Sequence, residues 1–333
     1  MIKSAELQGK SKFLSLIAIG LLLTSCIPRA PIDRPHQVAD YSYQPEIGKP
    51  NYPLREGPLV VIDEAHHNFH TIDGRYHPFA ALLRRDGYRV KGNNKMFTAT
   101  TLERVDVLVI ANALNQMNAK DWGPPNPSAF TPEEIEAVRN WVVDGGSLFL
   151  IVDHRPFPAA ASSLAKAFGI EFSNGYALQG FWQAGKAQTF GLGTGLVEND
   201  LTRGRNPKDQ VTKIATFTGS AFRSTQAVLP LLVFCKHSLS LEPKKSSNPL
   251  RRQIEGWLQG GVMKVGRGRI AVFGEAAMFS AQLAGSENKP MGMNAPEAIQ
   301  NHHLLLNVMH WLTHVPTSGD GGGKIIKRCE KIR

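Results

Sequence analysis

The sequence predicts an α/β fold with a mostly parallel sheet covered by helices on both faces. Three observations carry that expectation. Short continuous apolar runs, such as Leu59-Val60-Val61-Ile62 and Leu148–Val152, suit strands buried on both faces. Segments of helical period follow several of these runs after short connections. Strand, helix and strand in that alternation imply right-handed crossovers, and so parallel neighbours.

The elements follow in order. Leu59–Ile62 ends in Asp63, and a helix over His77–Asp86 closes at Gly87. Tyr88–Val90 is a short strand, and Val105–Ile110 is a buried one ending at Ala111-Asn112. Thr131-Pro132-Glu133-Glu134 supplies an N-cap, a proline at the first helical position and acid residues in the first turn. That helix runs to Val143 and stops at Gly145-Gly146. Leu148–Val152 ends at Asp153-His154, with a helix over Ala159–Phe168 behind it. Residues 170–265 read as an irregular insertion with Gly-rich turns and strand-like pieces at Val211–Phe217, Leu229–Phe234 and Gly261–Val265. The pattern resumes with Arg269–Phe273, ending at Gly274-Glu275, and a last helix over Ala295–Leu312. Residues 58–315 are thus expected to form a single domain.

The N-terminus reads as an export signal over residues 1–25. Lys3, Lys10 and Lys12 lead into an apolar run, Phe13–Leu23, and then Leu23-Thr24-Ser25-Cys26. Such a run spans only about half of a ~30 Å hydrocarbon core, which suits a signal and not a membrane anchor. The ending resembles the lipobox of bacterial lipoproteins, which implies that Cys26 is lipidated and tethers the mature chain to the cell membrane or outer membrane. Residues 26–57 are Pro-rich and read as a tether, and 316–333 as a flexible basic tail. The net charge of +10 falls to +8 once the leader's three lysines and one glutamate are removed. That balance suits an anionic membrane surface or anionic ligands, and no motif for nucleic acid accompanies it. At 42% hydrophobic and 20% charged, the chain is globular. Cys235 and Cys329 are not expected to pair, because one ends an apolar run and the other lies in the tail.

In an open parallel sheet, ligands bind beyond the carboxyl ends of the strands. Polar residues collect there. Asp63, Glu64, His66 and His67 follow the first strand, Asn112 the third, Asp153 and His154 the fourth, and Glu275 the late one. These are the candidate ligand-binding residues, with Asp63, His66, Asp153, His154 and Glu275 as candidates for catalysis. Mixed carboxylates and imidazoles suit general acid–base chemistry or a divalent cation. No zinc spacing, Walker A sequence or nucleophile elbow is present, so no cofactor is predicted. The histidines of the last helix read as a packed or solvated face, His310 and His314 alone having the spacing of a metal pair.

Val60–Tyr76, Thr131–Pro156 and Arg269–Gln282 together resemble the class I glutamine amidotransferase-like superfamily. They are more closely similar to its non-amidotransferase branches, the trehalose-utilisation-protein-like domains and an uncharacterised domain family found in bacterial lipoproteins and gliding-motility-type transport components. The resemblance implies a flavodoxin-like sheet with its site at the strand ends. It does not extend to glutamine hydrolysis, since Asp153-His154-Arg155 stands where the nucleophilic cysteine belongs. The expected function is therefore a membrane-anchored domain that binds a small polar ligand, such as a carbohydrate or cell-envelope fragment. A hydrolase on the same rim is one alternative. A non-enzymatic assembly or transport accessory, with an envelope protein as partner, is the other.

Overall fold

The computed structural model describes residues 36–180, 182–183, 186–242, 250–316 and Cys329. At its centre lies a nine-stranded sheet. Its strands are β1 (Leu59–Asp63), β2 (Arg89–Asn93), β3 (Val107–Ala111), β4 (Ser147–Ile151), β5 (Ile170–Phe172), β6 (Phe222–Ser224), β7 (Leu229–Val233), β8 (Leu258–Val265) and β9 (Gly268–Phe273). They lie in the order β2-β1-β3-β4-β9-β8-β6-β5, with β7 also paired to β8. The first five are parallel. From β9 onward every pairing is antiparallel.

The sheet is therefore mixed, not mostly parallel. All the antiparallel strands come from the stretch expected to be an irregular insertion, which instead extends the sheet. β5 and β6 are only three residues long, β7 carries a proline and β8 two glycines, so their pairing depends on partners distant in sequence and leaves little periodic signal.

The four principal helices are α1 (His77–Arg85), α2 (Pro132–Val143), α3 (Phe157–Ala167) and α4 (Asn301–Leu312). Strand residues alternate between two buried clusters, as the two-residue period of a strand requires. Val60, Ile62, Val107, Val109, Phe149 and Ile151 pack with Phe79 and Leu82 of α1 and with Leu304 and Val308 of α4. Val61, Leu108, Ile110, Leu148 and Leu150 pack with Val138 and Val142 of α2 and with Ala160 and Leu164 of α3. No helix among the described residues is long and apolar enough to cross a membrane.

Two expectations about the chain ends are corrected. Residues 36–57 pack onto the domain and are not a free tether. Gln37–Ala39 pairs antiparallel with Ala281–Ala284, and the Tyr52 hydroxyl donates to Thr313 Oγ1 at 3.1 Å. Cys235 and Cys329, not expected to pair, form a disulfide across 94 residues, with Cα atoms 5.8 Å apart. The basic tail is thus fixed at Cys329, where Thr194 also pairs with it across an isolated bridge. The export signal, Cys26 and the tether up to residue 35 lie outside the described residues, as does the rest of the tail.

Candidate functional site

The loop after β1 turns inward. His66 is buried and bonds through both ring nitrogens: Nδ1 lies 2.9 Å from Asp63 Oδ2, and Nε2 lies 2.9 Å from Glu134 Oε1. Phe97 and Phe130 pack on its ring. Burial disfavours the charged ring, but the bonds and charges of Asp63 and Glu134 outweigh it and raise the imidazole pKa above its ordinary value. Asp63 also accepts from Asn68 Nδ2 at 3.0 Å and from the amide of Ala65 at 3.2 Å. Glu134 closes the capping box of α2, accepting from the amides of Thr131 and Phe97, each at 3.0 Å. These bonds, with His66, overcome its burial and lower its carboxyl pKa. Asp63, His66 and Glu134 therefore form a closed internal link that joins β1 to the start of α2, with no group left over for a ligand.

A second cluster lies over β3, β4 and β9. Asn112 adopts a left-handed backbone (φ 52°), a conformation asparagine tolerates, and this turns its side chain to both neighbours. Its Oδ1 accepts from the amide of Asp153 at 2.9 Å, and its Nδ2 lies 3.3 Å from His70 Nδ1. Burial, with the Arg75 charge adding to it, holds the His70 pKa well below its ordinary value, so the ring is neutral. Its Nε2 is buried without a hydrogen-bond partner.

Asp153 is buried, accepting from the amides of His154 (2.7 Å) and Ala276 (3.4 Å). Tyr76 donates to the Ala276 carbonyl at 3.1 Å, so Tyr76, Asp153 and Glu275 converge on one short stretch of backbone. Glu275 is wholly buried, and its two oxygens accept from the amides of Ala277 (2.9 Å) and Met278 (2.7 Å). Burial and the nearby Asp153 charge push its carboxyl well above the usual range. Close backbone contact seats it. A Cβ on Gly219 (φ 115°) would stand 2.3 Å from the Gly274 carbonyl and 2.9 Å from Glu275 Cγ.

Outside these buried groups the rim is aromatic. His154 stacks on Tyr176, with ring centroids 4.5 Å apart, and Trp122 packs edge-on to Phe69 at 5.3 Å. The Arg75 guanidinium sits 3.7 Å from the Phe69 ring centre. His154 Nδ1 donates to the Arg155 carbonyl at 2.7 Å, leaving Nε2 as an acceptor on a half-buried ring. Tyr176 is exposed, while Phe69 and Trp122 are partly exposed.

The predicted residues thus divide. Asn112, Asp153 and Glu275 come together with His154 at their edge. Asp63 and His66 are committed to the separate link through Glu134. Glu64 is half-buried and accepts from the amide of Ile72 at 2.7 Å, while His67 is exposed with a left-handed backbone (φ 46°). Among the described residues no group of three or more His, Cys, Asp or Glu is arranged to hold a metal ion. His70, Tyr76, Trp122 and Tyr176 at the rim, and Glu134 in the link to His66, are residues that the sequence reading did not select. Glu134 had a signal. It stands third after an N-cap threonine on a helix that follows a parallel strand, and such a helix begins at the strand-end rim.

Fold and site together define a mixed α/β domain with a buried polar cluster and an aromatic edge at the carboxyl ends of its parallel strands. No family model and no curated protein matches the chain. Among solved structures it is similar to the mmIFT52 N-terminal domain, with a TM-score of 0.56 at 14% identity over 79% of this chain and 99% of that one. That likeness is one of fold alone. More distant neighbours include ThuA-like proteins. One from Bacteroides uniformis has a TM-score of 0.41 at 13% identity, covering 80% of this chain and 95% of that one. Another, from Parabacteroides merdae, has 0.40 at 12%, covering 79% and 92%.

Proposed function

We propose that this chain is a lipid-anchored envelope protein whose domain binds a small polar ligand of carbohydrate type at the strand-end rim. One contrast carries the reading: Asp63, His66, Glu134 and Glu275 are held by internal partners, whereas Phe69, Trp122, His154 and Tyr176 keep accessible ring surface. Aromatic faces beside a few polar groups suit sugars, which present C–H faces between hydroxyls. The parallel strand order β2-β1-β3-β4-β9, with two helices in each buried cluster, supports a flavodoxin-like, amidotransferase-like scaffold. The leader ending at Cys26 supports lipid anchorage. A disulfide between Cys235 and Cys329 suits an oxidising compartment outside the cytoplasm.

Titration with an N-acetylglucosamine disaccharide, followed by tryptophan fluorescence, tests the reading. Saturable binding is expected, weakened about tenfold or more in Trp122→Ala and Tyr176→Ala. Absence of saturation with this and other neutral sugars would leave the rim a structural feature and favour the accessory-protein alternative.

A hydrolase is the second reading, and the Asp153–Glu275 pair favours it, since a protonated acid beside a second carboxylate is the arrangement of a general acid. Against it, Glu275 is wholly buried and both its oxygens are occupied by backbone amides of its own loop. The binding reading requires no such group to reach the ligand.

A further inference from the structure

A cavity of about 330 Å³ lies at the opposite end of the sheet from the rim, where α1 ends and β2 begins. Its wall carries a buried pair. His310 of α4, 3% exposed, has Nε2 placed 2.7 Å from Asp86 Oδ2, and the other Asp86 oxygen accepts from the amide of Asn51 at 2.8 Å. In the tautomer that carries its proton on Nε2, that N–H donates to the carboxylate and Nδ1 is left as an acceptor. It is buried and has no hydrogen-bond partner. Arg205, on the same wall, donates one terminal N–H to Asn51 Oδ1, while its Nε is buried and unpartnered. Lys49 stands exposed at the edge. The opposing charge of Asp209 is held by Asn206 Nδ2 at 2.6 Å.

Buried polar atoms without partners are few in folded proteins, and each calls for a bonding group. An acceptor at His310 and cationic donors at Arg205 and Lys49 ask for different things: the first for an O–H donor, the others for an anionic oxygen. We infer that this cavity is a second binding site, independent of the rim, for a small oxyanion that also carries a hydroxyl. Hydrogen phosphate, a phosphomonoester with a neighbouring hydroxyl and a sugar acid share that chemistry.

Calorimetric titration of the full-length chain in detergent at pH 7 separates the possibilities, using inorganic phosphate, sulfate, galacturonate and galactose. Phosphate, galacturonate or both bind at one site. Sulfate, with no hydroxyl to donate, and galactose, with no charge, bind about tenfold more weakly or worse. Phosphate alone assigns a phosphoryl ligand, and galacturonate alone a carboxylate. Arg205→Met and the exposed Lys49→Met each reduce the affinity, with the melting temperature of the unliganded Lys49→Met chain unchanged. Trp122→Ala at the rim leaves it intact. The inference is overturned by equal binding of sulfate and phosphate. It is also overturned by unchanged affinity in both the Arg205 and Lys49 variants, or by no saturation with either hydroxylated anion up to roughly 10 mM.

Discussion

His66 and His302 are both buried histidines, yet their surroundings drive them in opposite directions. Two carboxylates raise the pKa of His66 above its ordinary 6.5. Burial, aided by the charge of His303, pushes His302 down to about 4. The stability contributed by His66 is fully present below pH 6.5 and is lost as pH rises through its raised folded value. That of His302 is present above 6.5 and is lost as pH falls towards 4. Thermal melts across pH 4–9 should therefore show a maximum near neutrality. His66→Gln should flatten the alkaline decline, leave the acid one, and cost on the order of 3 kcal/mol near pH 6, since two buried carboxylates lose their shared partner. An alkaline slope unchanged in that variant would mean the link through Glu134 is not ionic.

At the scale of elements, what was legible in the sequence depended on how local the signal is. The five parallel strands β1, β2, β3, β4 and β9 and helices α1 to α3 were readable because apolar runs, prolines at the helix starts and closing glycines lie within a few residues of each other, whereas α4 was expected from Ala295 and begins only at Asn301. The α2 start was read from Thr131-Pro132-Glu133-Glu134, although the bond from Glu134 to His66, 68 residues away, was not. Of the antiparallel half, β7 and part of β8 were read as strand-like pieces, but β5, β6 and the pairing of all four into the central sheet were not. Strands such as β5 and β6 are three residues long, and β8 is interrupted by Gly260 and Gly261. The rim's location at the strand ends was legible for the same topological reason. Which of its carboxylates share a cluster was not, because Asp63 and Asp153 look alike in sequence, yet Asp63 bonds within its own loop to Ala65, His66 and Asn68, whereas Asp153 accepts from the amide of Ala276, 123 residues away. The Cys235–Cys329 pair is the extreme case, since nothing local indicates a partner 94 residues away. It ties Cys329 to the segment just after β7, and closing so long a loop restricts the unfolded chain. Cys329→Ser should lower stability by about 4 kcal/mol in denaturant melts. A cost near zero would show that the tail contributes nothing to the folded body.

For the whole molecule, the domain begins earlier than its Pro-rich composition suggests, at the strand Gln37–Ala39. Cys26→Ser should move the protein from the membrane fraction to the soluble one, and retention in the membrane would contradict lipid anchorage. The central claim is that the rim binds its ligand through its aromatic edge while its buried acids and His66 stay with their internal partners. Side-chain NMR of histidine and tryptophan during titration with the N-acetylglucosamine disaccharide tests it most directly. Resonances of Trp122 and His154 should shift and saturate together, while those of His66 and His310 stay fixed. Saturable shifts at His66 without change at Trp122 and His154, or no shifts at any of the four, would contradict the account.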